Sequence, residues 1–124
     1  MTNILKAISD GMAVLGLNYA FMEWKGKPAY PYFVGEYQEA ESVNEDGMKE
    51  ATVILTGFTR QSWLELEEAK EKIEKYFNRI SGNLVTADGS AVAIFYGSAL
   101  VIPTGDAELK KMQINLTVKE WKVI

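Results

Sequence analysis

The sequence predicts one α+β domain over residues 1–124, in which a mostly antiparallel sheet with a long hairpin is packed by an N-terminal helix and one central amphipathic helix. Apolar residues recur at helical spacing in two segments and alternate at strand spacing in several others. The chain has 124 residues, of which 48% are hydrophobic and 24% charged, a composition typical of globular proteins. Its length suits one domain with its own core.

The first predicted element is a helix over residues 3–15. Ile4, Ile8 and Met12 recur on one face of it and are expected in the core. Gly16 lies where a helix often ends, and residues 17–24 then favour a short extended segment before a turn.

A long antiparallel hairpin is predicted from two segments rich in β-favouring residues, 30–41 and 51–60. The polar, acidic stretch 42–49 lies between them and is expected to form an exposed tip that is available to partners. Deleting this loop is therefore expected to leave the fold intact and to abolish partner docking.

The central helix is predicted to begin at Ser62. Its Ser-Trp-Leu-Glu sequence matches a capping box, in which the Ser side chain accepts from a helical amide while Glu65 reaches back. The helix then continues to about Arg79 with a solvated charged face. Its apolar stripe consists of Leu66, Ala69, Ile73, Tyr76, Phe77 and Ile80.

Strand-like segments follow at 84–86, 91–96 and 98–102, with Gly97 placed to supply a turn or a bulge. The final strand begins at about Lys110 and alternates regularly as far as Val118. Glu120 then takes the next apolar position, and Trp121 has the opposite parity. This change predicts either a bulge or a face that another surface covers.

The composition limits the chemistry. The chain has no His and no Cys, so imidazole catalysis, thiol nucleophiles and most zinc and iron sites are excluded. A net charge of −4 disfavours direct nucleic-acid binding, and no apolar run is long enough to span a bilayer. The expected protein is intracellular and non-enzymatic, with neither cofactor nor metal. Its acidic stretch, Glu36, Glu39, Glu41, Glu45 and Asp46, lacks a calcium-loop pattern and is interpreted as surface charge.

Aromatic residues crowd the first predicted strand of the hairpin. Tyr32 and Phe33 must point to opposite faces in a regular strand, so either both faces are covered or one is an interaction surface. Core packing and subunit contact both remain open. A small-molecule or peptide-binding domain is an alternative, with an apolar pocket lined by Trp24, Tyr37, Phe58 or Tyr96.

The order of elements resembles that of the tail terminators of long-tailed bacteriophages and prophages, also called tail-completion or head-tail joining proteins. The likeness lies in the strand segments 31–34 and 52–55, the helix beginning near Trp63 and the C-terminal strand 112–121. It implies a structural ring protein, usually a hexamer, that caps the tail tube and joins it to the head connector.

This resemblance also implies where such a protein acts and what it touches. Its partners would be further copies of itself, the tail tube protein and the neck proteins. It would be found in the host cytoplasm during assembly and then in the virion tail or neck. An acidic loop is a natural docking or lumen element, past which DNA slides without sticking. The candidate interface residues are Tyr32, Tyr37, Glu45, Asp46, Met48 and Trp121.

Overall fold

The computed structural model describes residues 2–39, 48–78, 83–87 and 90–122. Two helices and six strands occur in these ranges. In chain order they are α1 (Thr2–Val14), β1 (Asn18–Phe21), β2 (Tyr32–Glu39), β3 (Met48–Thr59), α2 (Trp63–Tyr76), β4 (Asn83–Ala87), β5 (Ser90–Ile102) and β6 (Lys110–Lys122).

The strands form one six-stranded sheet in the order β1-β2-β3-β6-β5-β4. The pairs β2/β3, β3/β6, β6/β5 and β5/β4 are antiparallel, whereas β1 pairs parallel to β2. The predicted α+β class, mostly antiparallel sheet and long hairpin are therefore confirmed.

Both helices pack on the same face of the sheet. Ile4, Ile8 and Met12 of α1 are buried, as predicted, and join one core with Leu66, Ala69 and Ile73 of α2 and with Phe77, which follows it. Ile80 of the predicted stripe lies outside the described residues. Alternate residues of the central strands complete this core because successive side chains of a strand point to opposite faces. They are Phe33 of β2, Val53 and Leu55 of β3, Val92, Ile94 and Tyr96 of β5, and Met112, Ile114, Leu116 and Val118 of β6.

The start of α2 differs from the predicted capping box. Ser62 precedes the helix in an extended conformation, but its side chain makes no capping hydrogen bond. The Glu65 carboxylate lies instead beside Thr59, whose hydroxyl donates to Glu65 Oε2 over 3.4 Å. The prediction was wrong about the capping bond, because the Glu65 carboxylate accepts a hydrogen bond from Thr59, the buried last residue of β3.

Of the two alternatives predicted for the end of β6, the bulge is wrong, and the face that another surface covers stays a prediction. No bulge occurs in its described part: β6 pairs with β3 without a shift from Lys110 to Trp121. Glu120 is buried on the same face as Val118, so the alternation continues through a charged residue. The irregularity lies in β5, between Tyr96 and Ser98, at the Gly97 position that the sequence predicts as a turn or bulge.

Two strand boundaries differ from those predicted from the sequence. β1 ends at Phe21, because Met22 has a positive φ of 71° that a continuing strand does not allow. β3 begins at Met48, so Met48 and Lys49 belong to a paired strand and not to the predicted loop. Deleting all of 42–49 would therefore also remove two paired residues of the sheet.

Candidate interaction surface

The sheet has two unlike faces. The helix face is the one against which α1 and α2 pack, and the opposite one is called the outer face. Within the described ranges neither helix covers the outer face. Its central strands carry half-buried side chains, among them Ile54, Thr56 and Phe58 of β3 and Gln113 and Asn115 of β6.

An aromatic cluster occupies one end of the outer face. It consists of Trp24, Tyr30, Tyr32, Phe58 and Lys111. The Tyr32 ring lies 5.1 Å from that of Phe58 and 5.0 Å from that of Trp24, measured between centroids. Tyr30 lies 5.6 Å from Tyr32, and the Lys111 Nζ is 5.6 Å from the centre of the Phe58 ring. Ring contacts and a cation over a ring are both favourable at these distances.

Strand pairing explains why these residues meet. Tyr32, Phe58 and Lys111 are direct cross-strand partners on β2, β3 and β6, and such partners have their Cβ atoms about 5 Å apart on one face. Trp24 comes from the connection between β1 and β2. Asn18 holds the end of that connection, since its Nδ2 donates to the carbonyl oxygens of Ala29 and Pro31 over 3.0 and 3.1 Å.

Several polar side chains border the aromatic cluster. Arg60 Nη1 donates to Asp106 Oδ2 over 3.2 Å, and the guanidinium also bonds the Tyr30 hydroxyl. The backbone N–H of Glu108, followed by Arg60, lowers the pKa of Asp106. Burial raises the pKa of Tyr32, and the neighbouring Tyr30 adds to this while Arg60 opposes it. At neutral pH this edge of the cluster therefore combines the neutral phenol of Tyr32 with an ion pair.

The structure separates the predicted interface residues. Tyr32 lies in the aromatic cluster. Met48 and Trp121 are cross-strand partners on the outer face, but at its opposite end, about 33 Å along β3 from the cluster. Tyr37 lies on the helix face and stacks on Phe21 with ring centres 6.0 Å apart. Glu45 and Asp46 lie outside the described residues.

The pocket expected from Trp24, Tyr37, Phe58 or Tyr96 is not formed by these residues together. Trp24 and Phe58 both contact Tyr32 on the outer face, whereas Tyr96 is buried in the core. A different cleft, of about 500 Å³, lies between the start of α2 and the β5–β6 turn. It is lined mainly by Trp63, Val101, Pro103, Thr104 and Leu109.

Sequence reasoning missed Arg60, Asp106 and Lys111 as members of the site. For Lys111 a signal existed, because it has the parity of the outer-face residues on the last strand. Its alignment with Phe58 depends on the register between β3 and β6, which local spacing does not supply. Arg60 and Asp106 are far apart in sequence and meet only through the sheet.

In the described ranges, no group of three or more acidic, His or Cys side chains is placed to hold a metal ion. No helix there is long and apolar enough to cross a membrane. Sequence comparison gives no matching family model and no match among curated proteins.

Proposed function

We propose that this chain is a structural assembly protein similar to the tail terminators of long-tailed phages. It forms a ring, in the expected case a hexamer, that caps the tail tube and joins it to the connector. The observation that carries the proposal is the outer face, where an aromatic cluster remains at the surface of a sheet whose other face packs against both helices.

The composition of the aromatic cluster suits protein contact. Tyr, Trp and Arg are enriched at the centres of protein interfaces, because their large rings bury much area while their polar ends still find partners. The cluster holds Tyr30, Tyr32 and Trp24 close to Arg60. Here the indole Nε1 of Trp24 already donates to the Lys27 carbonyl oxygen over 3.2 Å, so its remaining apolar surface is available without loss of a hydrogen bond.

The mechanism needs surfaces only. A contact between unlike patches of neighbouring copies, repeated around a cyclic axis, closes a ring. One side of this ring binds the last subunits of the tube, which stops further addition because the growing end is occupied. The other side binds the connector. The aromatic cluster is the surface proposed for the contact with the tube.

Two measurements test this proposal together. Electron microscopy of the purified chain is expected to show annular particles with a central opening. Tubes polymerised from the tail tube protein encoded in the same genome should then stop growing when the chain is added, with one ring at the end of each tube. Solid or linear particles without an opening would contradict the ring.

The Tyr32→Ser variant tests the role of the aromatic cluster, with Thr117→Ser, on the outer face of central strand β6, as its control. Tyr32→Ser is expected to form rings but to leave tubes uncapped, because Tyr32 contacts three other rings of the cluster. Thr117→Ser should cap tubes like the unmodified chain. Normal capping by Tyr32→Ser would rule out the cluster as the tube contact.

A peptide-binding domain is the second candidate, and the cleft beside Trp63 favours it. Trp63 is 44% exposed and Val101 is 52% exposed, so an apolar side chain entering the cleft would bury both. A bound peptide would raise the unfolding temperature, since it binds the folded state only. Screening a library of apolar hexapeptides for such a rise, with a change in Trp63 fluorescence that Trp63→Phe abolishes, distinguishes this function from ring assembly.

A further inference from the structure

The two outer edges of the sheet are stepped. At one edge, β1 pairs only with residues 32–35 of β2, so 36–39 extend beyond it. At the other edge, β4 pairs only with residues 90–94 of β5, and among the described residues no strand pairs with the free side of 98–102. Each edge thus has one half that projects by a strand and one half that is set back.

The steps lie at opposite ends of the sheet. Residues 98–102 of β5 are level with the start of β2, because Ile102 pairs with Lys111, Lys111 with Phe58 and Phe58 with Tyr32. That is the end where β1 projects from the other edge. When two copies lie side by side in the same orientation, β1 of one copy therefore fits into the step beside β5 of the next.

We infer that β1 of one copy pairs antiparallel with residues 98–102 of β5 in a second copy, and that this strand addition is the repeated contact that closes the ring. The inference rests on the ring assembly proposed above and names its self-contact. The contact joins two different edges, so in a joined pair one copy keeps its β5 edge and the other keeps its β1 edge free for further copies. Such a head-to-tail contact forms closed rings when its rotation closes.

Strand direction and register fit this contact. β1 runs parallel to β2. The pairs β2/β3, β3/β6 and β6/β5 are each antiparallel, so β5 runs opposite to β2 and therefore antiparallel to β1 of a neighbouring copy in the same orientation. If the cross-strand register of one sheet continues into the next, Ala20 lies opposite Leu100 on the outer face. Tyr19 then lies opposite Val101 on the helix face. Both faces of the sheet are thus continued across the contact.

The chemistry of the two edges also fits. Segments 17–22 and 97–103 contain no charged residue, although free strand edges are commonly protected by charge. Four of their large apolar side chains are exposed, namely Phe21, Met22, Leu100 and Val101. An uncharged, apolar edge is what strand addition between chains requires, since main-chain hydrogen bonds provide affinity and apolar side chains are buried beside them.

Paired cysteine substitutions test the contact directly, because the chain has no Cys of its own. Ala20→Cys and Leu100→Cys are combined in one chain and treated with an oxidant or a short bismaleimide linker, which tolerates either cross-strand geometry. A ladder of covalent oligomers, ending at the size of the closed ring, is expected on a denaturing gel. Leu100 is 53% exposed, so the fold should accept this substitution.

Two controls make the ladder specific. A mixture of the single variants should stop at the covalent dimer, because each chain then carries one thiol of one kind. Combining Ala20→Cys with Thr117→Cys should give no ladder, since Thr117 lies on central strand β6. A ladder from this control pair, or none from Ala20→Cys with Leu100→Cys, would overturn the inference.

A charge at the edge separates this inference from the proposed function. Leu100→Lys is expected to convert the ring to monomers, whereas Val14→Lys, an equivalent change at an exposed residue of α1, should leave the ring intact. Rings that persist in Leu100→Lys, with no ladder from Ala20→Cys combined with Leu100→Cys, would refute the edge contact and leave the ring proposal standing. A protein that neither assembles nor crosslinks would refute both.

Discussion

The helix face and the outer face of the sheet are built from the same strands, yet they differ in what covers them. On the helix face, Phe33 and Leu55 are fully buried against α1 and α2. On the outer face, their neighbours Tyr32 and Ile54 are only half-buried. Because successive side chains of a strand alternate, one sequence supplies both a core and a second face that the helices leave uncovered. Stability should therefore depend on one parity, and contact with the tube on the other.

Neighbouring aromatic residues on β2 should show the largest difference. Phe33→Ala is expected to lower the free energy of unfolding by about 3–5 kcal/mol, because it leaves a cavity in a fully packed core. Tyr32→Ala, which removes a half-buried ring, should cost much less. Urea unfolding of both variants at one protein concentration measures the difference. Equal losses would show that the outer face is packed as a core.

The next largest loss of stability is expected at Gly57, whose backbone lies close to the Phe33 ring on the helix face. A Cβ atom at Gly57 would lie 2.5 Å from Cε1 of Phe33, so the ring must shift to accept any side chain. Gly57→Ala is expected to destabilise by about 1–3 kcal/mol through overpacking. The matched control is Thr56→Ala, the adjacent outer-face residue, which should be nearly neutral. Denaturant midpoints that rank these variants in the reverse order would contradict the proposed packing.

Alkaline pH should weaken the β1–β2 edge through Tyr19. Burial raises the pKa of Tyr19 from 10.0 to about 12. Between these values the unfolded chain loses the phenol proton while the folded chain keeps it, so stability is present below pH 10 and is lost as the pH rises towards 12. The urea midpoint should fall over this range. Tyr19→Phe should reduce the fall, and an identical pH dependence in that variant would exclude Tyr19 as its source.

The smallest effect is expected at the exposed ion pair. Arg60 and Asp106 are both about half exposed, so water and salt screen their attraction. Asp106→Asn should shift the urea midpoint less than any core substitution, and added salt should abolish the shift. A large shift that persists in salt would mean that this pair is buried by a partner in the assembled protein.

The fold was predictable where local patterns decide it. Helical spacing located Ile4, Ile8 and Met12, and alternation located the hairpin strands, because both patterns are visible within a single element. The bulge at Gly97 was also predictable, since Gly commonly marks irregular strand positions. The absence of a capping hydrogen bond from the Ser62 side chain was not predictable, because a residue of the preceding strand, Thr59, contacts Glu65 instead.

The candidate surface was less predictable, since it depends on long-range pairing. Tyr32 was identified from its parity, but Lys111 and Arg60 reach it only through the register of β3 and β6. The stepped edges arise from the parallel pairing of the short β1 and from where β4 stops along β5. Neither has a signature in local spacing. Tyr37 was predicted as an interface residue before the sheet face of its side chain was known, and it lies on the helix face.

The mass of the protein in solution tests the central claim most directly, which is that the free sheet edges of one chain are covered by further copies that close a ring. Light scattering coupled to size-exclusion chromatography should be run over a hundredfold range of concentration. A closed ring of fixed size, in the expected case six copies, or a monomer that converts to such a ring as concentration rises, is the predicted result. A monomer at every concentration would contradict the claim.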